Sequence, residues 1–254
     1  MALDKALHAD RERAESFGSV AAAYDRFRPS YPDVLISDLV ELGPDRVLDV
    51  ACGTGKVAVP LVACGLSLLG VEADPKMAAI ARTHGLIVEE AKFEEWDDQG
   101  RTFDLITCGQ GWHWIDTRVG DEKAARLLNP GGTLALFWNR EFFDEDVRAG
   151  LDRAYGEHAP ELAGADRGHT DEPFVEHLQE VGKFVSVDTE VYRWSTTIDT
   201  DDLVGRTSTY SDHIRLPAAR REALLAAIRD VIEAHGGNVT VQFKTYAIFA
   251  RTPE

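Results

Sequence analysis

The apolar run Val47-Leu48-Asp49-Val50 carries one carboxylate and leads directly into Ala51-Cys52-Gly53-Thr54-Gly55-Lys56. Glycines at a strand-to-helix turn let a ligand approach the backbone closely, and the N–H groups of the following helix favour an anionic group. Gly53-x-Gly55-x-x-Ala58, with Glu72 about 20 positions on, fits the loose dinucleotide fingerprint G-x-G-x-x-G/A. A tight turn with no ligand, in which Asp49 caps the turn's own N–H groups, fits as well. Asp49 weighs against a pyrophosphate, because a carboxylate beneath it adds negative potential. The same charge favours a ligand carrying an ammonium and a sulfonium. Glu72 follows the run Leu66-Ser67-Leu68-Leu69-Gly70-Val71, where a strand-end carboxylate can accept both hydroxyls of a ribose.

These residues need a frame. Strand patterns at Arg46–Ala51, Ser67–Val71, Leu86–Glu90, Phe103–Cys108 and Thr133–Trp138 alternate with helix patterns over 56–64, 75–84 and about 121–128. Pro75 opens the second helix and Gly85 stops it, and the turn Asn129-Pro130-Gly131-Gly132 precedes the fifth strand. This alternation predicts an α/β fold with helices on both faces of a mostly parallel sheet. Strand patterns at Phe184–Trp194 and Thr240–Ala250 bring the sheet to seven. We divide the chain into N-terminal cap helices (1–44), a cofactor-binding half (45–140), and remaining strands with a helical cap that contributes to a substrate pocket (141–254).

The segment LDVACGTGK (48–56) resembles motif I of the class I S-adenosylmethionine-dependent methyltransferases, with Ala51 where a glycine is common. GVEADPKM (70–77), FDLITCGQGWHWID (103–116) and LLNPGGTLALFWN (127–139) resemble the family's later motifs, in its order. YDRFRPSYP (24–32) is similar to the N-terminal signature of a small-molecule branch that includes trans-aconitate-methyltransferase-like proteins. The resemblance implies a Rossmann-like, doubly wound sheet with an antiparallel C-terminal strand. It also implies S-adenosylmethionine as cofactor, S-adenosylhomocysteine as product, and methyl transfer to a small molecule by in-line displacement.

It further implies a site. Asp49, Ala51, Gly53 and Gly55 would cradle the cofactor. Ala73 and Met77 would flank adenine, with core packing an equal reading for Met77. Phe93 and Glu94 would supply a backbone N–H and a carboxylate to the ring; Glu95 could exchange with Glu94. Gly109 and Gln110 follow strand four at the crevice, and Arg28 would take the methionyl carboxylate with Tyr24 closing over it. Trp112, Tyr31 and Asn139 would face the acceptor, with Trp114 in the core. His113 is the candidate general base, since imidazole titrates near neutrality; packing between the tryptophans is the other reading. His169 and Tyr210 also fall in regions able to face the pocket.

Composition narrows the partners. A net charge of −17 repels polyanions and disfavours nucleic acid as substrate. The Arg-rich stretch 216–229 reads as a solvated helix face. No apolar run is long enough to span a membrane, and the charged opening MALDKALHADRERAESFG does not read as a secretory signal. The three cysteines lack metal or disulfide spacing, and a cytoplasmic monomer or homodimer without metal is expected. Two other functions stay open: an NAD(P)-dependent oxidoreductase, for which no Tyr-x-x-x-Lys pair on a helix is evident, and a non-catalytic S-adenosylmethionine-binding protein.

Overall fold

The computed structural model describes residues 15–164 and 172–254. Its seven strands are β1 (Arg46–Val50), β2 (Ser67–Glu72), β3 (Ile87–Glu90), β4 (Phe103–Gly109), β5 (Leu128–Phe142), β6 (Ser186–Asp199) and β7 (Asn238–Arg251). They lie in the order β3-β2-β1-β4-β5-β7-β6, with β7 antiparallel to both neighbours. The strand order reverses beside β1, so the carboxyl ends of β1 and β4 open a crevice at the top of the sheet. This is the doubly wound fold expected from the alternation.

Both faces are covered, and the strands show it at a period of two. In β5, Ala135 and Phe137 pack toward α2 (Asp33–Glu41), α3 (Ala58–Ala63) and α4 (Pro75–Thr83), which follow α1 (Ala21–Phe27). Leu134, Leu136 and Trp138 face the opposite side, with α5 (Thr117–Leu127) and α7 (Glu172–Val181). Between those two helices comes α6 (Glu145–His158). It joins α8 (Thr200–Ser208), α9 (Ser211–Ile214) and α10 (Ala218–Ala234) in a cap. A third apolar cluster fills this cap, including Leu151, Leu203, Leu224, Ile228 and Ile232 together with Val241 and Phe243 from β7.

Local signals account for the helix starts. Asp74 Oδ1 accepts from the N–H groups of Lys76 (2.8 Å) and Met77 (3.1 Å), and Pro75 takes the first helical position of α4. Asp116 caps α5 through the Arg118 N–H at 3.1 Å, so this helix starts at Thr117, earlier than the apolar pattern placed it. β5 and β7 run past both expected ends and β6 past its carboxyl end; Trp194 and Ile198 of β6 and Val239, Val241 and Phe243 of β7 pack against the cap. The three cysteines are unpaired. Arg229 of α10 is exposed and paired with Asp201, as a solvated face requires, whereas Arg220 is half-buried, pairing with Glu161 and donating to the His158 carbonyl. No helix among the described residues is long and apolar enough to cross a membrane.

Candidate functional site

The turn after β1 has the bare, strained backbone that the glycines suggested. Gly53 (φ 58°) and Gly55 (φ 95°) lie in the left-handed region, and so does Ala51 (φ 51°). A methyl group on Gly55 would run into Leu86 Cδ1 at 2.5 Å, and Met77 Cε would lie 3.5 Å from a Cβ on Gly53. Met77 is buried, as core packing requires, and its side chain also adjoins the turn.

Asp49 sits under this turn, 1% exposed. Its Oδ1 accepts from the Thr107 hydroxyl at 2.7 Å on neighbouring β4. Among the described residues its Oδ2 has no partner, and neither does the buried Thr54 hydroxyl. Burial pushes the Asp49 pKa up to about 7; the Thr107 bond opposes this and the nearby Glu72 charge adds to it. The second carboxylate, Glu72, accepts from the N–H of Gly53 and of Asp74, both at 2.8 Å. Burial raises its pKa too, against the lowering effect of those two bonds. A carboxylate offers about four acceptor positions, so Glu72 keeps capacity for a ligand. An orphaned buried carboxylate oxygen, an orphaned hydroxyl and a glycine cradle fit a cationic cofactor and oppose a pyrophosphate.

The other edges of the crevice follow. Ala73 joins β2 to the cap of α4. Phe93 is buried among aromatic rings, 5.8 Å from Trp112, and Trp96 packs beside it. Glu94 Oε1 accepts from the Asp116 N–H at 3.0 Å, whereas Glu95 is exposed, which favours Glu94 of the two. Gln110 adopts φ 60° and donates from Nε2 to the Asn139 carbonyl at 3.2 Å. Tyr31 lies edge-on to Phe137 (4.7 Å), and its hydroxyl would collide with any Cβ on Gly109.

An N-terminal cover closes over these groups. Phe17 meets the rings of Tyr24 (6.0 Å) and Trp114 (5.8 Å) edge-on. Arg28 stacks between Tyr24 (5.2 Å) and Tyr210 (4.2 Å). Its Nε donates to the Thr209 hydroxyl at 2.8 Å and its Nη2 to the Thr209 carbonyl at 3.1 Å. Arg28 therefore ties the cover to the cap, a role its local sequence did not reveal.

Four expectations change. Trp112 does not line a pocket: its ring is fully buried, and Nε1 donates to Asp121 Oδ1 at 2.8 Å. The reverse holds for Trp114, expected in the core but half-exposed against Phe17. A single 3-10 turn over Trp112–Trp114 exchanges the two directions. Asn139 is engaged at both ends of its amide, donating to the Ser30 carbonyl at 3.0 Å and accepting from Thr245 at 2.6 Å, which makes it a tie between cover and sheet. Tyr31, 8% exposed, is floor beneath the cover rather than an open pocket wall. His113 is half-buried beside Trp114 (4.8 Å), and its Nδ1 accepts from Trp138 Nε1 at 3.4 Å. His169 lies outside the described residues. Among the described residues no cluster of metal-ligating side chains occurs.

Known proteins agree with this geometry. A family profile described as a methyltransferase domain matches residues 47–132. An uncharacterized methyltransferase of Mycobacterium tuberculosis is 32% identical over 230 residues, 89% of this chain and 88% of that one. Among solved structures, a protein from Anaeromyxobacter dehalogenans designated a type II methyltransferase superposes with TM-score 0.66 at 20% identity, covering 90% of this chain and all of that one. The phosphoethanolamine N-methyltransferase 2 of Haemonchus contortus, solved with phosphomonomethylethanolamine and S-adenosylhomocysteine, gives TM-score 0.56 at 16% identity, over 96% of this chain and 59% of that one. Strand order, bare turn, paired carboxylates and full-length similarity converge: the chain belongs to the class I S-adenosylmethionine-dependent methyltransferases.

Proposed function

We propose that this protein binds S-adenosylmethionine in the crevice above β1 and β4 and methylates a small-molecule acceptor held under the cap. The observation that carries the proposal is the buried Asp49 with its unpartnered Oδ2 beneath the glycine turn. A ligand that brings a positive or hydrogen-donating group satisfies that oxygen; the methionyl ammonium does so. Glu72 takes the ribose hydroxyls, and Ala51, Gly53 and Gly55 bring backbone against the methionyl chain. Ala73 and Met77 flank adenine, with Phe93 and Glu94 at its edge. Gly109 and Gln110 border the methionyl end, and Arg28 under Tyr24 faces its carboxylate.

S-adenosylmethionine supplies an electrophilic methyl whose sulfur loses its positive charge on transfer. The chain's own contribution is alignment and exclusion of water. The cover and cap enclose the crevice, and the cap holds the buried polar groups Arg206, Thr207 and Thr209. Such a compartment suits a small polar acceptor. The charge of −17 argues against nucleic acid, and we place the protein in the cytoplasm as a monomer or homodimer.

Titration calorimetry with S-adenosylhomocysteine and with NADH tests the cofactor: binding of the first at micromolar level or tighter, and none of the second, is expected. Silence with S-adenosylhomocysteine overturns the proposal. Methyl transfer from labelled S-adenosylmethionine to a panel of small acids, phenols and amines tests the acceptor class. Label appearing in RNA or DNA instead would refute it.

A further inference from the structure

The Tyr31 ring is fixed edge-on against Phe137, with centroids 4.7 Å apart, and its hydroxyl lies against the bare Cα of Gly109, where any Cβ would collide with it. No hydrogen bond reaches that hydroxyl among the described residues. A fully enclosed oxygen would be stranded there, as Asp49 Oδ2 and Thr54 Oγ1 are. The Tyr31 oxygen instead keeps access, at the tip of a side chain only 8% exposed.

The register shows what this tip adjoins. Val47, Leu105, Phe137 and Tyr31 belong to one apolar cluster on the α2 side of the sheet. Side chains alternate along a strand, so Asp49 follows Val47 on that face, and Thr107 and Gly109 follow Leu105. Asp49 and Thr107 are register partners. The Tyr31 hydroxyl at Gly109 therefore stands two residues further toward the crevice than the Asp49 carboxylate, roughly 7 Å of strand rise. Burial raises the phenol pKa well above its usual value; Tyr24, Cys108 and Asp49 add to this, and the nearby Arg28 guanidinium opposes it. The phenol stays neutral, with lone pairs able to accept. Two acceptor oxygens beside one guanidinium are the complement of an ammonium and a carboxylate borne on one carbon.

Resting on the methyltransferase reading above, we propose that the Tyr31 hydroxyl is a second acceptor, alongside Asp49 Oδ2, for the ammonium of the cofactor's methionyl chain. Tyr31 thereby makes the crevice select ligands with a free α-amino group. A thioether nucleoside lacking that group forfeits both bonds and leaves the Asp49 oxygen unmet. Packing on Phe137 fixes the hydroxyl before the ligand arrives, so little side-chain ordering is lost on binding.

Titration calorimetry of the parent and of Tyr31→Phe, each with S-adenosylhomocysteine and with its analogue carrying hydrogen in place of the α-amino group, tests this. Tyr31→Phe should weaken S-adenosylhomocysteine about tenfold and leave the affinity of the deaminated analogue unchanged. Without ligand, Tyr31→Phe should melt no lower than the parent, because its hydroxyl has no bond to lose. Unchanged affinity for S-adenosylhomocysteine, an equal loss with both ligands, or a lower melting temperature of the free variant overturns the proposal. S-adenosylhomocysteine failing to bind the parent refutes the cofactor reading itself, whereas binding that ignores Tyr31→Phe refutes this assignment alone.

Discussion

Asp49 combines two opposing demands. The sheet buries it, and burial costs a carboxylate free energy unless its charge is met. In the folded protein its pKa is about 7, against about 4 in an unfolded chain. Between those values the folded state holds a proton that the unfolded state has lost, so Asp49's contribution to stability falls as pH rises from about 4 to 7. Asp49→Asn should therefore be more stable than the parent at mildly alkaline pH without ligand, by about 1–3 kcal/mol. That is roughly 3–10 °C by thermal melting for a chain of this size. The same variant should bind S-adenosylhomocysteine more weakly. Binding to the parent should release a proton and weaken as pH drops below about 7, measurable by calorimetry in buffers of different ionisation enthalpy. Glu72→Ala should cost about 1–3 kcal/mol of affinity, the penalty of unmet polar partners; unchanged affinity removes Glu72 from the site. Both carboxylates were legible in the sequence, because each ends an apolar run at a strand terminus. The two tryptophans were not. Which one is buried depends on a 3-10 turn and on Asp121, a partner that no local spacing announces.

At the scale of elements, the N-terminal cover is held from several directions. Lys56 binds Asp25 at the glycine turn, and Ser30 Oγ donates to the Lys56 carbonyl at 3.0 Å. Asn139 ties Ser30 to the sheet, and Arg28 reaches Thr209, 181 positions away. Such ties are invisible to periodicity, which reports faces within one element. The strands and the helices of the sheet were legible for the complementary reason that their signals are local. Asn139→Leu should loosen the cover, raising hydrogen exchange in residues 15–32 while the exchange of β1 and β4 stays unchanged. Arg206, 3% exposed, pairs with Glu141 at 3.2 Å and donates to the Phe27 carbonyl at 3.4 Å. Arg206→Met should lower unfolding free energy by about 3–5 kcal/mol in denaturant titration, since it strands a largely buried carboxylate. Adding Glu141→Gln should recover part of that loss.

At the scale of the whole molecule, two properties dominate. The net charge of −17 makes the folded chain repel itself, so moderate salt should raise its melting temperature as screening grows. A melting point that stays flat or falls with added sodium chloride would show that paired surface charges outweigh the repulsion. The second property is the division between a sheet whose upper rim carries Asp49, Glu72 and the glycine turn and a cap built mainly from insertions after β5 and β6. The alternation of the sequence disclosed the sheet. It assigned the later helices to a cap but not their packing, because their apolar faces meet one another and strands that outrun the predicted sheet.

The excursion that supplies most of the cap departs after Asp199 and returns at Asn238, and these two residues are the final partners of the β6–β7 ladder. Both ends of residues 200–237 are consequently pinned side by side by main-chain hydrogen bonds that owe nothing to what lies between. That junction makes the segment a cassette: a helical insert of another length, spliced at the same pair, would inherit a ready anchorage above an untouched sheet rim. The cap would then be exchangeable by transplantation, without any change at Asp49 or Glu72.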